Sequence, residues 1–105
     1  MIYHIVSPEY WSSFEYAPAY SSETLATEKF IHCSRQDQLA GVLERFFGNV
    51  EQLLLLHIDE SKLTSALLHE AVPDSNELFP HVYGPINSEA IVEVSWLKKD
   101  GKTVL

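Results

Sequence analysis

Leu25-Ala26-Thr27-Glu28-Lys29-Phe30-Ile31-His32-Cys33-Ser34-Arg35 is the stretch from which the organisation of this 105-residue chain can be read. Phe30 to Cys33 is an apolar, β-favouring run with a histidine inside it. Ser34 stands where a helix N-cap belongs, and Asp37, three residues on, supplies the carboxylate of a capping box. Leu39, Val42, Leu43, Phe46 and Phe47 then recur at helical spacing, with Gly48 and Asn49 as a stop. The pattern predicts a short strand running straight into one principal helix over residues 35–47. His32 would then sit beside a helix N-terminus, where free N–H groups and the helix dipole favour an anion.

On the N-terminal side, Met1 to Val6 alternates as a strand, with Tyr3 and Ile5 on one face and Ile2 and His4 on the other. Ser7 can cap a helix that has Pro8 at its first position and ends near Glu15. Tyr16 to Thr24 reads as a tyrosine-rich loop. On the C-terminal side, the unbroken run Leu53-Leu54-Leu55-Leu56 within Gln52 to Asp59 is the pattern of a central strand buried on both faces. Asp59 to Leu63 is a turn or a single helical turn, and Leu67 to Val72 alternates as a strand. Pro73 to Glu77 is a turn cluster. The two prolines of Leu78-Phe79-Pro80-His81-Val82-Tyr83-Gly84-Pro85 confine that segment to an edge or a loop. Ala90 to Lys98 is a last long strand, and Asp100-Gly101 is a hairpin turn that lets Thr103-Val104-Leu105 pair back. The sum is an α+β class, a single domain over residues 1–105 with a mixed or mainly antiparallel sheet and one principal helix.

Composition narrows the function classes. Fifteen acidic residues against seven basic ones give a formal net charge of −8, which argues against non-specific binding to nucleic acid or to anionic membranes. No 18-residue apolar run is present, and Met1 to Val6 carries no lysine or arginine, so it reads as a strand and not a signal peptide. The single cysteine, Cys33, forms no intrachain disulfide and fits a reducing, cytoplasmic setting. The oligomeric state is not legible.

Several motifs taken together resemble one bacterial family. Tyr3-His4-Ile5, Phe30-Ile31-His32-Cys33-Ser34 with Gln38, Leu56-His57-Ile58-Asp59, Glu70 and Phe79-Pro80-His81-Val82-Tyr83-Gly84 follow one another as in the domain of unknown function (DUF) family 952. Lys29 departs from the pattern, because that family usually carries glycine just before the phenylalanine. Membership implies no reaction. A second, fold-level resemblance is to the ADP-ribosyltransferase superfamily, in which a first-strand histidine contacts the ribose of NAD and a second residue follows on another core strand. That resemblance implies His4 and His32 for those two positions, with Glu70 or His81 as the third, and NAD as a possible substrate.

That resemblance makes His4, His32, Glu70 and His81 the candidate catalytic set. His4 and His32 each lie in an otherwise apolar strand, and a buried ring nitrogen must find a partner, which a polar ligand lying across both could supply. Glu70 is either a rim residue or a carboxylate poised to stabilise a ribosyl cation. Tyr3, Ser34, Arg35 and Tyr83 are the candidate ligand-binding residues. Arg35 opposes the dipole at a helix start, a break of a local rule of the kind found at sites. Alternation turns Cys33 away from His32, so it reads as a core residue and not a nucleophile. Three functional readings stay open. The first is a pocket for a small nucleotide-like ligand or phosphorylated sugar, in an ADP-ribosyltransferase-like or phosphotransferase-like enzyme that needs no metal or resident cofactor. The second is a non-catalytic sensor with the same pocket. The third is a zinc hydrolase built on His4, His32 and His81.

Overall fold

The apolar run Leu53 to Leu56 becomes the middle of the largest sheet. The computed structural model describes residues 1–48, 50, 52–73, 75–97 and 103–104. In chain order these form β1 (Ile2–Val6), α1 (Pro8–Trp11), β2 (Ala19–Tyr20), α2 (Leu25–Glu28) and β3 (Ile31–His32). A 3-10 turn (Gln36–Gln38) leads into α3 (Leu39–Phe46), followed by β4 (Leu53–Ile58), β5 (Ala66–Ala71) and β6 (Leu78–Tyr83). The chain closes with β7 (Ile86–Asn87), β8 (Ile91–Leu97) and β9 (Thr103–Val104), and further 3-10 turns lie at Glu60–Lys62 and Ser88–Ala90. The strands make a four-stranded sheet in the order β1-β4-β8-β9, a three-stranded sheet in the order β3-β6-β5, and a β2-β7 pair. Every ladder is antiparallel.

β4 is central because nearly all of its side chains are apolar, so neither face is suited to water. Leu53 and Leu55 pack against Leu39 and Leu43 of α3, while Leu56 and Ile58 turn to the opposite face. There they meet Ile31, Cys33, Val82 and Ile86 from the second sheet and its flanks. The molecule is therefore three layers: α3, the four-stranded sheet, and the three-stranded sheet. Leu55 and Leu56 are fully buried, and truncating either would cost roughly 2–5 kcal/mol. Among the described residues no helix is long and apolar enough to cross a membrane.

Several expectations are corrected. Ser34 does not cap the principal helix. Its N–H and C=O are both taken by Tyr3, at 2.8 and 2.9 Å, which stitches the exit of β3 to the free edge of β1. The helix entrance therefore moves on by one residue, and Gln38, not Asp37, closes it by accepting from the Arg35 N–H at 2.9 Å. The principal helix itself occupies the expected interval, as the 3-10 turn followed by α3. The Pro80 segment is neither edge nor loop: β6 is the centre of its sheet. Proline is tolerated because its backbone faces Cys33, just past the end of β3: the Cys33 N–H donates to the Pro80 carbonyl at 3.0 Å, and only the reciprocal bond at that strand end is forgone. The first helix stops at Trp11, short of Glu15; the Tyr16 to Thr24 loop contains β2, and the quoted stretch opens with the single turn α2. The Asp100-Gly101 turn lies outside the described residues, but β9 pairs back as expected, with Val104 opposite Trp96.

Candidate functional site

Alternation along β6 sends Val82 to the main core and leaves Phe79, His81 and Tyr83 on the other face of the small sheet. The register places His81 opposite Leu68 on β5 and opposite His32 on β3, and it places Phe79 opposite Glu70. Glu70 is thus one diagonal step from His81, within reach of a long side chain. Four of the eight sequence-derived candidates, His32, Glu70, His81 and Tyr83, meet on this face.

The His81 Nδ1–H donates to Glu70 Oε1 at 2.9 Å, and the Tyr83 hydroxyl donates to the same oxygen. An ionised carboxylate only accepts, so Nδ1 carries a proton toward Glu70, and in the neutral form of the ring Nε2 is the nitrogen with the lone pair. That Nε2 is buried and, among the described residues, has no partner. The Phe30 ring stacks on His81, with centroids 4.0 Å apart and planes at 17°, and also approaches Tyr83 at 5.4 Å. His32 meets His81 edge-on at 5.4 Å, is itself exposed, and binds the Glu28 carboxylate through Nε2. The Tyr83 hydrogen bond, followed by that from His81, holds the Glu70 carboxyl below its ordinary value, and the same contact raises Tyr83. The result is a surface cluster of two histidine–carboxylate pairs with an aromatic cover.

Glu28 and Phe30 were not among the expected residues. The signal for Glu28 was its spacing of four from His32, which carries meaning only if the chain doubles back between them. Lys29 makes it do so: it closes α2 with φ 74°, in the left-handed region. Glycine adopts that conformation without penalty, which gives Lys29 as a departure from the family pattern a physical content.

The other four candidates lie elsewhere. His4 is buried on the core face of β1 with both ring nitrogens engaged: Nδ1–H donates to the His32 carbonyl at 2.6 Å, and Nε2 accepts from the Tyr20 hydroxyl at 2.7 Å. Burial lowers its pKa from 6.5 to about 4. It touches the cluster through the backbone of His32 and not through a shared ligand space. Tyr3 lies on the α3 face, edge-on to His57 at 5.2 Å. Ser34 is buried beside β1. Arg35 is a staple: its Nη1 donates to the Leu78 carbonyl at 2.8 Å and its Nε to Asp37 Oδ1 at 3.1 Å, while Nη2 lies 3.5 Å from Glu77. Cys33 is in the core, where burial pushes its thiol pKa far up. Among the described residues no three His, Cys, Asp or Glu side chains come together to hold a metal ion, so the His4–His32–His81 zinc reading has no ligand cluster.

Comparison with solved structures finds protein CC0527 from Caulobacter crescentus, determined by X-ray crystallography both unmutated and as a double mutant. The identities are 26% and 25%, the TM-score is 0.80 for each, and each match covers 99% of this chain and 93% of the other. No curated protein matches. These neighbours support the fold and do not by themselves show the resemblance to an ADP-ribosyltransferase. The profile described as "Protein of unknown function (DUF952)" matches residues 5–94, an interval that contains both Phe-Ile-His-Cys-Ser and Phe-Pro-His-Val-Tyr-Gly. The chain belongs to the DUF952 family.

Proposed function

We propose that His32, Glu70, His81 and Tyr83 form a binding site for the sugar hydroxyls of a nucleotide-like or phosphorylated-sugar ligand, with Glu70 and His81 as its acid–base pair. The supporting observation is the unpartnered Nε2 of His81. A buried polar atom left without a partner costs about 1–3 kcal/mol, and a ligand that hydrogen-bonds it offsets that cost. A ring nitrogen bearing a lone pair takes an O–H and not a phosphate oxygen. Electrostatics point the same way: Glu28 and Glu70 flank the two rings, the Arg35 guanidinium is held by Leu78 and Asp37, and the chain carries −8. A phosphate on the ligand would extend outward past exposed His32. Phe30 and Tyr83 offer apolar faces to a sugar or base, and entry of the ligand requires the Phe30 ring to leave its stack on His81.

A hydroxyl bound at Nε2 can pass its proton to the ring while Glu70 stabilises the imidazolium that forms. That chemistry suits a transferase acting on NAD or a related nucleotide. A non-catalytic sensor would use the same contacts without turnover.

The test is an amide-shift titration with NAD, ADP-ribose and ribose 5-phosphate on the wild type and on His81→Phe, which keeps the ring and removes both nitrogens. Saturable shifts at residues 28–32, 68–70 and 79–83, weakened about tenfold or more in the variant, are expected. Binding that is unchanged in His81→Phe, or shifts confined to other residues, would overturn the reading. Product analysis with NAD then separates enzyme from sensor.

A further inference from the structure

Residues 26–29 run across the surface between two anchors: Leu25 packs on the main core, and Ile31 is fully buried. The single turn α2 lies here and buries no side chain. Its internal bonds are few, from the Glu28 N–H to the Thr24 carbonyl at 2.8 Å and from the Lys29 N–H to the Leu25 carbonyl at 2.9 Å. One turn of helix has no stability of its own, because nucleation fixes several residues for each bond gained. Among the described residues, the side-chain bonds and ring contacts that tie residues 26–30 to the rest of the molecule all end in the histidine cluster. Glu28 pairs with His32 Nε2, and the Phe30 ring lies on His81 and against His32 and Tyr83.

Lys29 opposes those contacts. Among the described residues it is the one non-glycine residue with positive φ, at 74°. In that region its β-carbon crowds the following carbonyl oxygen. Such a conformation persists where the surroundings impose it, and it recurs at ligand clamps and switch segments. Here the contacts that impose it belong to its two neighbours in sequence, Glu28 and Phe30. Release of both would free Lys29 to return to negative φ. The same contacts close the site. His81 projects from the outer face of the small sheet, where no further layer packs, and its unpartnered Nε2 is buried with the Phe30 ring stacked on the imidazole.

We infer that residues 26–30 form a strap that shuts the His81 site and lifts as one piece, with Glu28 as its latch, Phe30 as its cover and Lys29 as the strained joint between them. The inference rests on the reading of His81 Nε2 as the acceptor that a ligand reaches, and adds that the free protein keeps this acceptor covered. A ligand then binds only the lifted fraction, and its apparent affinity is reduced by that fraction.

Access to Nε2 can be read without any ligand, through acylation of neutral imidazoles by diethyl pyrocarbonate, with exposed His69 as the internal standard. His81 in the wild type should react at least about tenfold more slowly than His69. Glu28→Ala, which takes nothing away from the Phe30–His81 stack, should speed the His81 reaction about threefold. Lys29→Gly, which removes the strain of the closed state, should slow it about fivefold. Phe30→Ala should speed it about tenfold and also hasten hydrogen exchange at the Glu28 and Lys29 amides, whose bonds are made to Thr24 and Leu25 and not to Phe30. The Leu55 and Val82 amides, deep in the core, report that each variant is folded. A wild-type His81 as reactive as His69, unchanged His81 rates in Glu28→Ala and Lys29→Gly, or unchanged amide exchange in Phe30→Ala would overturn the strap. Failure of NAD, ADP-ribose and ribose 5-phosphate to bind, with these rates as expected, would overturn the ligand reading alone.

Discussion

His4 and His81 are both histidines buried in strands, at 8% and 3% exposure, and the fold treats them in opposite ways. His4 lies between the layers and has a protein partner on each nitrogen, a carbonyl on one side and a tyrosine hydroxyl on the other. His81 lies on the outer face of the small sheet, covered only by Phe30 and its neighbours, and has a partner on one nitrogen. Burial alone therefore does not distinguish the two imidazoles. The distinction is in the count of satisfied atoms: two ring nitrogens for His4, and one for His81 among the described residues.

The largest effect expected from this contrast is on stability. His4→Phe strands the buried Tyr20 hydroxyl and the His32 carbonyl together, and should cost about 4 kcal/mol at neutral pH by urea denaturation. His81→Phe removes an unpaired atom and strands only the exposed side of Glu70, so its cost should stay within about 1 kcal/mol. Equal losses in the two variants would break the contrast.

The second effect is on pH dependence. The His4 pKa is lowered from 6.5 in the unfolded chain to about 4 in the folded one. As pH falls, the unfolded chain therefore takes up this proton first. The contribution of His4 is complete above pH 6.5 and is lost progressively between 6.5 and about 4, with a total of about 3 kcal/mol. Denaturation midpoints measured across that window should fall steeply in the wild type and less steeply in His4→Phe. Parallel slopes would show that His4 is not held neutral.

The smallest effect is at the mouth of the cluster. Lys29→Gly relieves a left-handed non-glycine residue and should stabilise by about 1 kcal/mol, read as a raised thermal midpoint. It should leave His4 and the pH slope alone, because Lys29 shapes only the turn that returns Glu28 to His32. A lowered midpoint would mean that the lysine side chain makes a contact worth more than the backbone conformation costs.

Legibility in the sequence followed the range of the interactions involved. The four leucines of β4 and the helical spacing of Leu39, Leu43 and their neighbours are statements about adjacent residues, and both were readable. Ser34 was misplaced because its amide groups answer to Tyr3, 31 positions away, and not to the helix that follows. Pro80 was misplaced because its tolerance in a central strand depends on where β3 ends. The sequence pattern pairs His4 and His32 as two rings across one ligand, whereas the link between them runs from one ring to the other residue's carbonyl. His32, Glu70, His81 and Tyr83 were all named from the chain, but nothing local indicated that they share a face or that Phe30 covers them.

The amino-acid order alone sufficed for the α+β class, the buried central strand, the interval of the principal helix, the family, and the residue types that carry chemistry. All of these rest on periodicities of two and 3.6 residues or on short motifs, which neighbouring residues express without help from the rest of the chain. The division of the strands among two larger sheets and the β2-β7 pair, the partners of each histidine and, among the described residues, the orphaned nitrogen of His81 came from the packed molecule. Register between distant strands decides which side chains meet, and a shift of one residue would turn His81 to the core and dissolve the cluster.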